Sequence, residues 1–270
     1  MRSDLRAVNT DPLFSVRVKI DRAKKHLEHL QDEVSAFWAG NPYVIIFDTD
    51  TEPGKRLYRI KITNDVPGHW GGYVGDVVHN LRASLDNLAT ALAAANGTTS
   101  KSVLRKTYFP IGATKEIFEK KLPEDLRGVR ADARRIVERM KPYPGGTDAF
   151  RRLHDLDVLD KHSALVPVGA ANQSVVWRPT MQLPGRKPFE VPIGFVHAKP
   201  FYPLKDGDVI FSEPSQEQGN FTFSFNVAFG EGQIADGEPL VPTPKQFIDF
   251  VESVVDVFDR EFFQPVTVRN

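Results

Sequence analysis

Two segments hold most of the residues that could do chemistry: Gly75-Asp-Val-Val-His-Asn-Leu-Arg-Ala-Ser-Leu-Asp-Asn87 and Arg151-Arg-Leu-His-Asp-Leu-Asp-Val-Leu-Asp-Lys-His162. Between them they carry three of the seven histidines. Imidazole is the side chain whose ordinary titration lies nearest neutral pH, so it can act there as acid or base. At about 100° per residue, Val77, Val78, Leu81, Leu85, Leu88 and Leu92 form one face of a helix. Asp76, His79, Asn80, Ala83, Asp86, Asn87 and Thr90 share the other. A solvated face is normally stocked with long Lys, Glu, Gln and Arg. Short polar residues of poor helix propensity imply that another element covers this one. In the second segment Leu153, Leu156 and Leu159 make the apolar stripe, with Arg151, His154, Asp155, Lys161 and His162 on the far side. Asp157 and Lys161 stand at the favourable i,i+4 spacing.

The first chemistry this suits is metal-free cleavage of RNA. His79 and His162 are the expected acid and base, Asp155 or Asp157 the residue that orients an imidazole, and Arg82 or Lys161 the cation for a phosphoryl group. Asn80, His154, Arg130, Arg134 and Arg135 are the expected substrate contacts. The second is a divalent metal site. Asp76 with His79, and His154 with Asp157, each set a carboxylate and an imidazole one helical turn apart, as carboxylate bundles do, though those use the longer Glu. His154-Asp155 also resembles the start of an HD phosphohydrolase site, without that family's further ligands. The third is a helical module that binds a partner and catalyses nothing. Buried hydrogen-bond networks that merely orient helices would use the same residues. His26 and His29, in Lys24-Lys-His-Leu-Glu-His29, read as solvated charge.

Residue types along the two segments resemble the HEPN superfamily of helical-bundle proteins, many of them ribonucleases of toxin and antiphage systems. That family's signature sets an Arg four to six residues before a His on one helix. Here His79 precedes Arg82, and Arg152 stands ten positions before His162. The resemblance implies a cytoplasmic RNA-cleaving or RNA-binding protein of defence type. The Gly75-Asp-x-x-His-Asn-Leu-Arg and Leu156-Asp-x-Leu-Asp-Lys-His patterns also resemble uncharacterised bacterial and phage proteins, a likeness that implies no activity.

Around these segments the chain reads as α+β. Helices are expected over Val16–Trp38, Tyr73–Asn96, Thr114–Leu122, Ala131–Met140, Asp148–Leu165 and Pro244–Phe263, the last with Thr243 as its N-cap. Tyr43–Phe47 and Leu57–Thr63 predict a hairpin about Thr51-Glu-Pro-Gly54. Val175–Trp177, Phe189–His197, Asp208–Ser212 and Phe221–Phe229 predict a separate antiparallel sheet. Phe221, Phe223, Phe225, Val227 and Phe229 would share one of its faces, and the terminal helix, rich in Phe, would pack on it. The expected organisation is one compact domain: a helical bundle over 1–166 with the hairpin, and a β-rich part with the terminal helix over 167–270.

Composition bounds the rest. With 41% hydrophobic and 26% charged residues the 270-residue chain has ordinary globular material, which argues against long disorder. The absence of Cys excludes disulfides and thiolate chemistry. Three charges in Met1–Asn9 argue against a signal peptide, and no apolar run approaches a membrane span, so a soluble cytoplasmic protein is expected. No phosphate loop, dinucleotide fingerprint or Gly-x-Ser-x-Gly elbow occurs. The net charge of zero conceals an asymmetry. Lys101–Arg152 holds 14 Lys/Arg against 7 Asp/Glu, and Phe201–Phe263 holds 3 against 12. A basic segment attracts RNA or another anion. Alternatively, the two segments neutralise each other internally or across a homodimer.

Overall fold

The computed structural model describes residues 11–49, 55–172, 202–214, 224–230 and 234–264, with shorter pieces at 174–177, 180–181, 185, 187, 189–190, 193–196 and 232. Its helices are α1 (Phe14–Ala39), α2 (Trp70–Ala95), α3 (Lys101–Leu104), α4 (Lys115–Asp125), α5 (Ala131–Met140), α6 (Asp148–His162) and α7 (Pro242–Phe258). The strands are β1 (Tyr43–Thr49), β2 (Lys55–Ile62), β3 (Pro167–Asn172), β4 (Ser174–Trp177), β5 (Thr180–Met181), β6 (Phe189–Glu190), β7 (Ile193–Val196), β8 (Val209–Pro214) and β9 (Ser224–Phe229). Helices and antiparallel strands are segregated, so the fold is α+β.

The chain forms two compact units, each assembled from separated stretches. The division falls at His29/Leu30, Gly71/Gly72, Ala164/Leu165 and Val241/Pro242. One unit holds α1 as far as His29, α2 from Gly72 onward, α3 to α6, and α7. The other holds the strands, the end of α1 and the start of α2.

In the helical unit the apolar periodicity goes inside as expected. Val77, Val78, Leu81, Leu85 and Leu88 of α2 are fully buried, with Leu153 and Leu156 of α6 and Val251, Val254 and Val255 of α7. Each such side chain contributes roughly 1.5–3 kcal/mol relative to exposure. Phe150 links three elements: it stacks on Phe109 at 5.2 Å and meets the edge of Phe250 of α7 at 4.7 Å. The guanidinium of Arg152 lies 5.6 Å over the Phe247 ring. Within the helical unit, aromatic side chains of α7 are thus met by α6. The helix also starts earlier than its expected cap. Pro242 and Pro244 both fall in the first turn, where a missing N–H costs nothing, and Thr243 is buried inside it. Beyond Phe258 the helix continues as a π-turn over Asp259–Phe263.

In the second unit β1 and β2 pair antiparallel from Tyr43↔Ile62 to Thr49↔Arg56, giving the expected hairpin. It is not separate from the later strands, because β8 pairs with β2 and makes the sheet β1-β2-β8. Tyr58, Ile60, Ala171, Leu204 and Ile210 form the core against it. β3 pairs with β9, β4 with β7 and β5 with β6. Along β9, Phe225 packs on Tyr43 while Val227, Ala228 and Phe229 are all buried. The strand's inner end is thus covered on both faces, and the strict alternation does not persist. Phe221, Phe223 and His197 lie outside the described residues. Trp70 is buried against Phe37, and its indole N–H donates to Glu33 Oε2 at 2.7 Å.

Candidate functional site

The helical unit sets α2 beside α6, and the contact depends on a glycine. A β-carbon at Gly75 would overlap the Asp160 carboxylate, so the bare α2 backbone lets that side chain seat against it. One turn further along α2, His79 Nδ1 donates to Asp157 Oδ1 at 3.1 Å. Lys161 Nζ donates to the other oxygen, Asp157 Oδ2, at 2.5 Å. Asp157 is 2% exposed at its side chain, whereas His79 is 49% and Lys161 50% exposed. A buried carboxylate thus fixes the imidazole tautomer, with the proton on Nδ1, and leaves Nε2 free to take or give a proton. Of the two candidate orienting carboxylates, Asp157 is the one in contact with an imidazole.

Two more carboxylates join the cluster. Burial pushes the Asp160 carboxyl above its ordinary range, and the charges of Asp76 and Asp157 push it the same way. Asp76 Oδ2 lies 3.5 Å from His26 Nδ1 on α1. His29 packs edge-on to Tyr73 at 5.0 Å. Both α1 histidines contact α2 residues, although Lys25, Glu28 and His29 of that run are exposed, as the solvated reading expected. Their signal was present: they flank Leu27 and Leu30, which are buried.

Other expected residues are engaged elsewhere. Arg82 donates to Asp86 Oδ1 at 2.6 Å and to the Phe109 carbonyl at 3.1 Å. Asp86 also accepts the Phe109 N–H at 2.9 Å. Together they pin the stretch after α3 to α2. Asn80 donates to the Asp76 carbonyl and accepts from Lys19 of α1. Asn87 reaches the Ser15 carbonyl. The short polar face of α2 is covered, as its composition implied, but most of it ties α2 to its neighbours. Asp155 is chelated by Arg151, with Arg151 Nε donating at 2.7 Å, and does not orient an imidazole. His154 is half-buried, with Nδ1 enclosed and without a hydrogen-bond partner among the described residues. Its pKa is lowered, first by burial and then by the charges of Arg82 and Arg151. His162, the last residue of α6, is exposed and makes no hydrogen bond or ion pair among the described residues.

The four residues of the metal alternative, Asp76, His79, His154 and Asp157, are not gathered as ligands. Among the described residues no group of three or more His, Asp or Glu is placed to hold an ion. Both oxygens of Asp157 are occupied by His79 and Lys161. Of the expected basic surface, Arg130 pairs with Asp132 at 2.6 Å and lies over Phe262, and Arg134 Nε donates to the Val129 carbonyl. Arg105, Lys106 and Arg135 are exposed, with no ion pair among the described residues. No protein-family model, curated protein or solved structure matches the chain.

Proposed function

We propose that the α2–α6 pair carries a metal-independent acid–base site that cleaves RNA, in the manner of a HEPN-like ribonuclease. The observation that supports it most is the half-exposed His79 imidazole held by the buried Asp157 carboxylate. In this reading His79 Nε2 takes the proton of a ribose 2′-hydroxyl. The 2′ oxygen forms a bond to phosphorus, the bond from phosphorus to the 5′ oxygen breaks, and the imidazolium returns its proton to that leaving oxygen. Lys161 has three donors, of which one is spent on Asp157, so two remain for a phosphoryl oxygen. Arg82 has no role in this scheme, because its guanidinium is committed to Asp86 and Phe109. Asp76 and Asp160 add negative charge beside the imidazole, so attraction of the phosphate backbone falls to the exposed cations of 101–152.

A second reading is a non-enzymatic helical interaction module. It is supported by the complete burial of Asp157 and by the use of Asn80, Asp86 and Asn87 as ties between elements. One experiment separates the two. The protein is incubated with mixed RNA with and without chelator, bound metal is measured, and His79→Ala is run beside it. Cleavage that is indifferent to chelator and falls by about 10²–10⁴ in His79→Ala, with an unchanged melting temperature, is the expected result. Chelator-sensitive cleavage with stoichiometric metal would move the assignment to a metal site. No cleavage, with lost stability in His79→Ala, would make the dyad structural.

A further inference from the structure

Within the helical unit, away from the residues of the dyad, a cavity of about 350 Å³ is lined by Ser102, Val103, Lys106, Tyr108, Glu124, Asp125 and Arg127. A volume in this range suits a small organic ligand. Its wall is fixed by one backbone bond: the Tyr108 N–H donates to the Asp125 carbonyl at 3.0 Å, joining the stretch after α3 to the last residue of α4. The Tyr108 ring is 48% exposed, although the neighbouring Phe109 is fully buried. The charged side chains are unspent as well. Lys106, Glu124, Asp125 and Arg127 make no side-chain hydrogen bond or ion pair among the described residues. Arg82, Asp86, Arg130 and Asp132, by contrast, are committed to ion pairs. Burial pushes the Asp125 carboxyl above its ordinary range, with Lys121 opposing and Glu124 adding to the shift. An under-solvated carboxylate of this kind gains from any pair of N–H donors that reaches it.

A half-exposed tyrosine, the Glu124 and Asp125 carboxylates and the Lys106 and Arg127 cations line one cavity and match the parts of one ligand. The ring stacks a planar base, a carboxylate accepts from two adjacent N–H groups, and the cations take a phosphate. Among the bases, guanine alone presents a ring N–H and an amino N–H side by side on its pairing edge. Adenine presents an acceptor where the second donor is needed. We propose that this cavity binds a guanosine phosphate: Tyr108 stacks the base, Asp125 accepts from its N–H pair, and Lys106 and Arg127 hold the phosphate. The nucleotide is either free or one position of an RNA strand, and only the RNA source rests on the ribonuclease reading above.

The test is binding, not cleavage. The full chain is titrated with guanosine monophosphate, adenosine monophosphate, inorganic phosphate and a short single-stranded RNA with one guanine, with glycine as the zwitterion control. Guanosine monophosphate is expected to bind at least tenfold tighter than the adenosine compound or phosphate. Tyr108→Ala should lose between about fivefold and 150-fold, the range for one base–aromatic stack, and Tyr108→Phe should retain affinity. Asp125→Asn offers one acceptor where two are needed, so it should abolish the preference over adenosine while leaving phosphate binding unchanged. Tighter binding of the RNA than of the free nucleotide would identify a strand as the source; equal binding would identify the free nucleotide. His79→Ala should bind guanosine monophosphate like the parent, so failure of the ribonuclease reading leaves this result standing. Equal binding of all the phosphates, glycine binding in their place, or no effect of either variant at an unchanged melting temperature would overturn the proposal.

Discussion

His154 carries a cost that pH should expose. Its Nδ1 is enclosed without a partner among the described residues, and burial together with Arg82 and Arg151 lowers its pKa below the ordinary imidazole value of about 6.5. The folded protein therefore favours the neutral ring. As pH falls through about 6.5 the unfolded chain takes up the proton first. The stability present above that pH is then progressively lost toward the lower, folded-state value. His154→Leu removes both the unpaired nitrogen and the titration. Its urea midpoint should change less between pH 8 and pH 5 than that of the parent, and at pH 8 it should be no less stable. Parallel slopes for the two proteins would show that His154 contributes nothing to the acid loss. Single residues were the hardest part of the sequence to read. Helical spacing allowed His79 several carboxylate partners, and only the rotation of α6 against α2 selects Asp157 over Asp155. Asp155 instead pairs with Arg151, one turn earlier on the same helix.

Elements were more legible, because apolar periodicity is a property of many residues at once. The expected span of α5 is the observed one, Ala131–Met140, and the hairpin strands agree to within two residues at each end. What periodicity does not encode is which strand joins which. The pairing of β8 with β2 is set by tertiary contacts such as Tyr58 with Phe211. Nor does it encode close approach, which rests on glycines. At Gly71 a β-carbon would overlap the backbone carbonyl of Leu165, whereas at Gly75 the three nearest atoms all belong to the Asp160 side chain. A carboxylate can swing aside, but a backbone carbonyl moves only with the main chain around it. Gly71→Ala should therefore cost about 1–3 kcal/mol by overpacking. Gly75→Ala should stay within about 1 kcal/mol of the parent, since Ala improves helix propensity by roughly that amount. Adding Asp160→Ala to Gly75→Ala should recover any loss. Urea unfolding of the four proteins measures this, and equal losses at the two glycines would refute the distinction between side-chain and backbone contact.

At the scale of the whole molecule, a net charge of zero could arise from two segments that cancel each other, yet the described ion pairs distribute otherwise. The acids of α7 and its π-turn are met by α1: Glu252 by Lys24 at 2.6 Å and Asp259 by Arg17 at 3.0 Å. The basic segment is partly neutralised within itself, as at Arg130 with Asp132 and Arg151 with Asp155. It meets α7 through aromatic faces instead, at Phe262 and Phe247. Arg105, Lys106, Arg127 and Arg135 are among the exposed cations with no acid bonded to them among the described residues. If they attract a phosphate backbone, each contact releases condensed counterions. Binding of single-stranded RNA should then fall linearly in log affinity against log salt, with a slope of about 0.7 per phosphate engaged. Arg105→Ala and Arg135→Ala should each reduce that slope by about 0.7, and Arg130→Ala, whose cation is already paired, should leave it nearly unchanged. A titration by fluorescence anisotropy between low and physiological ionic strength reads all four proteins. Retention that ignores salt, or a slope that falls equally in all three variants, would detach the basic segment from RNA and leave the protein as an interaction module.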